Sequence, residues 1–367
     1  MAEIRKLKIN KRRRLTTEEA KVIAAKCVEA IENREPYEKF RDRVYGYILA
    51  YRNEKIEPKG CGMYNGKENP YVLPEELWDI DVPAMLYSPI KETVIEIQNS
   101  EFRYKPHLFA YKHIASSQTA CVNLFVPVLE SPYANDILKR ISCCPSDFHH
   151  LDRGYLYHGY RFEFWDSTDE NAKGLLGDHS KQAGTDADIA IAYRNNNGDL
   201  CLWLIEHKLT EKKFTECGGY KSTANKHKEV CMRCDLADIM TNPSLCMYHG
   251  QKHYNYWNIM EDSGIDFYGG RYCGDGCPFR GGMNQLWRNQ LLAMALEKEG
   301  IYKDVYFSVV HHPENHYLKK SINTYHLLTS NSPKFSSFKS SELIDAASVD
   351  SNLIDWVVWY KNVYYGF

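Results

Sequence analysis

No stretch of about eighteen consecutive apolar residues occurs in the 367-residue chain, which argues against a membrane-spanning helix. The opening MAEIRKLKINKRRRL has no apolar segment behind its basic residues, so it lacks the pattern of a secretory signal. No internal repeat is evident, and nothing is low enough in complexity to mark a linker. A dominant charge is missing too. The formal net charge of -2 neither demands nor excludes nucleic acid, because local arrangement sets the field a phosphate meets. Twelve cysteines without a signal point to a reducing cytoplasm, with free thiols or metal ligands rather than disulfides.

What is present is an ordinary globular composition, 44% apolar and 26% charged, which allows a large buried core. The length favours two or three domains, or one core with substantial additions. Aromatic content is high at 13%; such side chains can stack on bases but more often fill cores and interfaces. Residues 1–14 hold seven Lys or Arg against Glu3 alone, a solvated lead-in or a short arm for phosphate.

Thr16 and Thr17 before Glu18 and Glu19 give a capping-type start to a helix running toward Ile31. A second helix is expected over Tyr37–Tyr51, and the Gly-, Pro-, Asn- and Asp-rich segment 55–92 reads as loop. Ala115–Leu129 opens on Ser116 and Ser117 and continues as a mostly buried helix. Arg161–Trp165 reads as a short strand, and Lys173–Ala183 as a loop. Then come two apolar runs, DIAIAY (188–193) and LCLWLIEHK (200–208), around the turn residues NNNGD. That is the sign of a β-hairpin.

Side chains alternate along a strand, so Glu206 and Lys208 share one face and His207 takes the other. The turn near Gly198 brings Asp188 back beside them. Two carboxylates and an amine therefore converge at one end of a sheet. Metal-assisted phosphodiester hydrolysis needs that set: hard oxygen ligands for Mg²⁺, a water acidified by the ion, and a cation for the developing charge. A bare E-x-K is nearly worthless as a signal. Glu57-Pro58-Lys59 also fits, but proline breaks strand pairing there. Asp186 lies two residues before Asp188 on the same face and competes with it for the metal role. The bland alternative is a strand end with ordinary surface charges.

The string Gly184–Ile191 followed by Ile205-Glu206-His207-Lys208-Leu209-Thr210-Glu211 resembles the PD-(D/E)XK nuclease superfamily. More narrowly, it is similar to a bacterial branch of restriction-endonuclease-like proteins. Ser116-Ser117-Gln118 with Asn123-Leu124-Phe125 upstream, and Gln285-Leu286-Trp287-Arg288-Asn289 downstream, match two further strings in the same order. The similarity spans residues 105–315. Ala187 stands where the motif has Pro, and His207 replaces a more usual apolar residue.

The resemblance implies an α/β fold with a central mixed sheet flanked by helices and an active site at one sheet edge. It implies Mg²⁺ or Mn²⁺ and a nucleic-acid substrate, DNA over RNA, with restriction, phage defence and repair as settings. The metal ligands would be Asp188 and Glu206, with Lys208 assisting. Gln285 would touch substrate or support Lys208, or merely begin its helix. Glu163, between Phe162 and Phe164, would add a third carboxylate or lie on a solvated strand face.

Between the hairpin and the Gln285 helix lie Cys217, Cys231, Cys234, Cys246, Cys273 and Cys277. Cys231-x2-Cys234 and Cys246-x2-His249 have spacing suited to a structural Zn²⁺, with Cys273 and Cys277 as alternative ligands to Zn²⁺ or an Fe–S cluster. Accidental close pairs of free thiols are the alternative. His311, His312 and His316 read as loop histidines after the strand Val305–Val310.

The expected division is an N-terminal arm, helices and loop region (1–104), a nuclease core (105–330) with a Cys/His-rich insertion (215–280), and a C-terminal extension (331–367). The insertion is expected to hold few apolar residues of its own. Partners are nucleic acid and no membrane; the oligomeric state is open, a homodimer being compatible. A catalytically silent nuclease fold that binds nucleic acid or protein, organised by zinc, is the alternative reading.

Overall fold

The computed structural model describes residues 35–101, 106–169, 171–180, 184–267 and 276–366. The basic arm, the helix expected toward Ile31 and Cys273 lie outside the described residues. The chain divides into two compact units, Met1–Arg43 and Val44–Phe367. Of the first, the described part is the opening of helix α1 (Pro36–Lys55). All that follows concerns the second.

The apolar runs around NNNGD form the centre of the fold. Strands β5 (Ala187–Asn195) and β6 (Leu200–Lys208) pair antiparallel, with Ile189 opposite Ile205. Their turn is built by Asn195, whose Oδ1 accepts the N–H groups of Asn197 and Asp199 at 2.9 Å each. Gly198 takes φ 85°, a left-handed conformation that costs glycine nothing. Strands β3 (Phe148–Leu151) and β4 (Tyr160–Phe164) lie end to end along the outer edge of β5, both antiparallel to it. On the other side β7 (Val305–His311) and β8 (Phe335–Lys339) follow β6 in parallel. The six strands make a mixed sheet, the fold class expected.

Nearly every residue of β5 and β6 is buried, because helices cover both faces. Helix α3 (Ser117–Glu130) packs against both strands. It starts where expected, with Ser116 Oγ accepting the Thr119 N–H. Helix α4 (Met283–Lys298) lies on the face that presents Ala190, Leu202, Leu204 and Phe307. Helix α2 (Lys91–Asn99) precedes α3, and α5 (Lys319–Leu328), α6 (Ser340–Ala347) and α7 (Ile354–Tyr360) follow β7.

Asn123 shows why the α3 string carries a polar residue in a buried helix. Its amide donates to Met85 O and Tyr364 Oη, and its Oδ1 accepts the Tyr87 N–H at 2.8 Å. Three distant segments are tied to one fully buried side chain.

Some expectations change. The segment 55–92 carries a small hairpin, β1 (Gly62–Tyr64) and β2 (Lys67–Asn69), and two 3₁₀ turns between longer loops. His311 ends strand β7, and His312 is buried with Nε2 3.0 Å from Tyr364 O, so neither is a free loop residue. The segment between β6 and α4 is not poor in apolar side chains. Leu236, Ile239, Tyr256, Trp257, Met260, Phe267 and Phe279 join the core beneath α4. Seen along the chain these residues are scattered, and short helices gather them.

Candidate active site

Three neighbouring strands each place one carboxylate in the same row. The ladders Phe162↔Ile189 and Phe164↔Ala187 set Glu163 opposite Asp188, and Ile189↔Ile205 sets Asp188 opposite Glu206. Glu163 has φ 47°, a left-handed conformation that a non-glycine residue holds only when its surroundings impose it. Gln118 Nε2 from the first turn of α3 donates to its Oε1 at 2.7 Å, and His107 Nε2 lies 3.6 Å from its Oε2. That hydrogen bond and charge raise the His107 pKa.

Glu206 and Lys208 share one face, as alternation requires, with Nζ 2.7 Å from Oε1. They are 3% and 8% exposed, so water screens the pair little. Glu206 is held from α4 as well: Gln285 Nε2 donates to Oε1 at 2.6 Å and Asn289 Nδ2 to Oε2 at 2.7 Å. A carboxylate accepts about four hydrogen bonds, so one place remains open beside the Asn289 bond. Burial alone pulls the Lys208 ammonium down, but Glu206, Glu211 and Asp188 outweigh it and hold the amine charged.

Asp188 Oδ2 accepts the His207 N–H at 2.6 Å. Burial raises its pKa well above the ordinary carboxylate range and Glu206 adds to the rise, against Lys208 and the backbone bond. This is a place where negative charge is under-compensated. The His207 ring points to the opposite face, where it bonds the Ser117 backbone, and burial lowers its pKa to about 3. It is a packed neutral side chain.

The two competing aspartates are separated by their partners. Asp186 Oδ1 stands 2.5 Å from His179 Nε2, and the His179 ring stacks on Trp165 at 3.6 Å. Asp188 faces Glu206. Gln285 bonds Glu206 rather than Lys208, and its Oε1 accepts the Thr215 N–H at 3.1 Å. Asn289 was quoted in the α4 string without a role. Its signal is the four-residue step from Gln285, which puts both amides on one helix face.

Asn289→Ala removes a buried hydrogen bond to a charged group and should destabilise the protein by about 1.5–3 kcal/mol. Urea unfolding measures this, and an unchanged midpoint would mean that the bond carries no weight.

In the segment before α4, the thiols of Cys217, Cys231, Cys234, Cys246 and Cys277 interact electrostatically. His249 keeps its Nδ1 buried without a hydrogen-bond partner. A separate trio, Asp147, Cys201 and Asp304, sits at the far end of the β5–β6 hairpin with ligand atoms within 4.8 Å of one another. Lys334 Nζ lies 2.5 Å from Asp304, and Tyr193 Oη donates to Asp147, so these acids have protein partners.

Residues 49–365, well over half of the chain, match the family model described as Restriction Endonuclease associating with ARP. No curated protein and no solved structure matches.

Proposed function

The chain belongs to the family of restriction endonucleases associating with ARP, and from that premise we propose a PD-(D/E)XK-type enzyme that hydrolyses phosphodiester bonds in DNA. The observation that carries the proposal is the buried Lys208–Glu206 pair standing in register with Asp188. A surface charge cluster would leave these side chains to water. Here the fold buries three ionised groups and braces one of them from a second helix.

The donor set fits Mg²⁺ or Mn²⁺: hard carboxylate oxygens, under-compensated charge at Asp188 and an open acceptor place on Glu206. Asp188 and Glu206 would hold the ion, with Glu163 across β5 as a third acid. A bound divalent ion supplies an acidified water and neutralises charge on the phosphate. The chain's own residues do the rest. Gln285 and Asn289 fix the Glu206 carboxylate, so its oxygens keep their direction while charge moves. Lys208, held charged, presents a donor to a phosphate oxygen or to the attacking water. His207 lends only its N–H, which orients Asp188.

The proposed organisation is a core over 105–330 with a Cys-rich insertion at 215–280. Restriction or phage defence inside the cytoplasm is the setting such an enzyme fits. The test incubates supercoiled plasmid, linear duplex, single-stranded DNA and RNA with the full chain in Mg²⁺, Mn²⁺ or EDTA. Metal-dependent cleavage of DNA is expected, falling about 10²–10³-fold in Lys208→Ala and Glu206→Ala. Equal activity in all three proteins would sink the proposal. Binding without cleavage in every metal would make the chain a recognition module.

A further inference from the structure

We propose that Cys217, Cys234, Cys246 and Cys277 bind one structural zinc ion, with Cys231 as a fifth thiol beside them. The four lie on separate short elements between β6 and α4. Each of the four has extended backbone next to a helical turn. Cys217, Cys246 and Cys277 immediately precede Gly218–Lys221, Met247–Gly250 and Pro278–Arg280, and Cys234 immediately follows Lys228–Arg233.

The turns aim N–H groups at sulfur. The Cys217 thiol accepts from Gly219 and Tyr220, and the Cys277 thiol from Phe279. Such bonds favour thiolate, the form that ligates metal. Arg280 ties the same elements through backbone: its carbonyl accepts the Cys217 N–H at 3.3 Å, its N–H donates to Cys277 O at 3.3 Å, and its guanidinium reaches Met232 O.

The thiols also disfavour one another's ionisation. Cys277 is raised first by burial and then by Cys246, Cys217 and Cys234; Cys231, pushed up to about 11, is raised by burial and then by Cys234, Cys246 and Cys217. Five thiols gathered this way are unfavourable as anions without a cation, and a soft divalent ion reverses that sign. All five are free of disulfides. Among the described residues no three of these sulfurs lie within 4.8 Å of one another, so binding closes the cluster by rotation about Cα–Cβ.

Cys277 takes the fourth place over Cys231 because it repeats the turn of Cys217, whereas Cys231 lies within the helix Lys228–Arg233. The ion would join the exit from β6 to the entry of α4 and shorten the free path of the segment between them.

Zinc content of the purified full chain, measured by elemental analysis after expression with added zinc, tests the proposal without any cleavage assay. About one zinc per chain is expected in the wild type, in Cys231→Ser and in His249→Ala. Less than about a tenth of that is expected in Cys217→Ser and Cys277→Ser. Cobalt substitution of the wild type should give thiolate charge-transfer bands, a readout independent of whether a variant folds. Wild-type protein that holds no zinc and no cobalt would overturn the proposal, as would stoichiometric iron with an Fe–S absorption. Zinc retained in Cys277→Ser but lost in Cys231→Ser or His249→Ala would overturn this ligand set.

Discussion

Asp188→Asn should abolish cleavage and at the same time make the metal-free protein more stable. The wild-type carboxyl is buried beside Glu206 and its pKa stands well above the ordinary range. A carboxyl raised in this way contributes stability that is complete below the unfolded pKa and is lost as pH rises through the folded one. At neutral pH the metal-free wild type therefore carries that penalty. Asparagine keeps an acceptor for the His207 N–H and removes the charge. A gain of roughly 0.5–2 kcal/mol is expected near neutrality, shrinking as pH falls toward the ordinary carboxylate range.

Added Mg²⁺ should reverse the order. At one hundred times its Kd a ligand stabilises the folded state by about 2.7 kcal/mol, and only the wild type would receive that in full. Thermal unfolding with and without Mg²⁺ at two pH values measures both effects. A variant less stable than wild type in EDTA at neutral pH would contradict the charge-burial account. Unimpaired Mg²⁺-dependent cleavage would remove Asp188 from the proposed ligand set.

Trp287→Ala should give one of the largest losses of stability in the molecule. The ring is 1% exposed and stacks on Phe279 with centroids 4.0 Å apart and planes 7° from parallel. Trp257 and Tyr256 close around it at 4.8 and 5.3 Å. Truncation leaves a cavity where the Cys-bearing segment meets α4, at about 3–5 kcal/mol. Its Nε1 has no hydrogen-bond partner, so Trp287→Phe keeps the stack, drops a buried donor and should cost far less. Urea midpoints separate the two. Similar midpoints for Ala and Phe would show that the stack is not what holds this interface. Because α4 also carries Gln285 and Asn289, cleavage should fall in Trp287→Ala more than folded fraction alone explains.

The hairpin was legible because its determinants are local. An Asn/Gly turn fixes the register, and a period of two assigns Glu206 and Lys208 to one face. The choice between Asp186 and Asp188 was not local. Both fit the same strand face, and only His179, brought back by a loop, distinguishes them. Asn289 could be assigned only once Gln285 was known to face Glu206. Glu163 in a left-handed conformation has no sequence signal, since the neighbours rather than the residue type impose it. Strands β3 and β8 escaped notice for another reason: FHHL and FSSFK are short and weakly alternating, and their pairing partners lie far along the chain. Cys217 sits in no paired spacing, so its company is visible only in three dimensions.

The acid row has a consequence for the chain as it is made. Glu163, Asp188 and Glu206 stand on three strands, and the positions beside them are Phe162, Phe164, Ala187, Ile189, Ile205 and His207. A one-residue slip of any strand replaces an acid by one of these neighbours. An unfinished or misaligned sheet thus has no assembled row, and whatever chemistry the row supports begins only in a correctly completed molecule. A chain still being synthesised is safe to have near a genome.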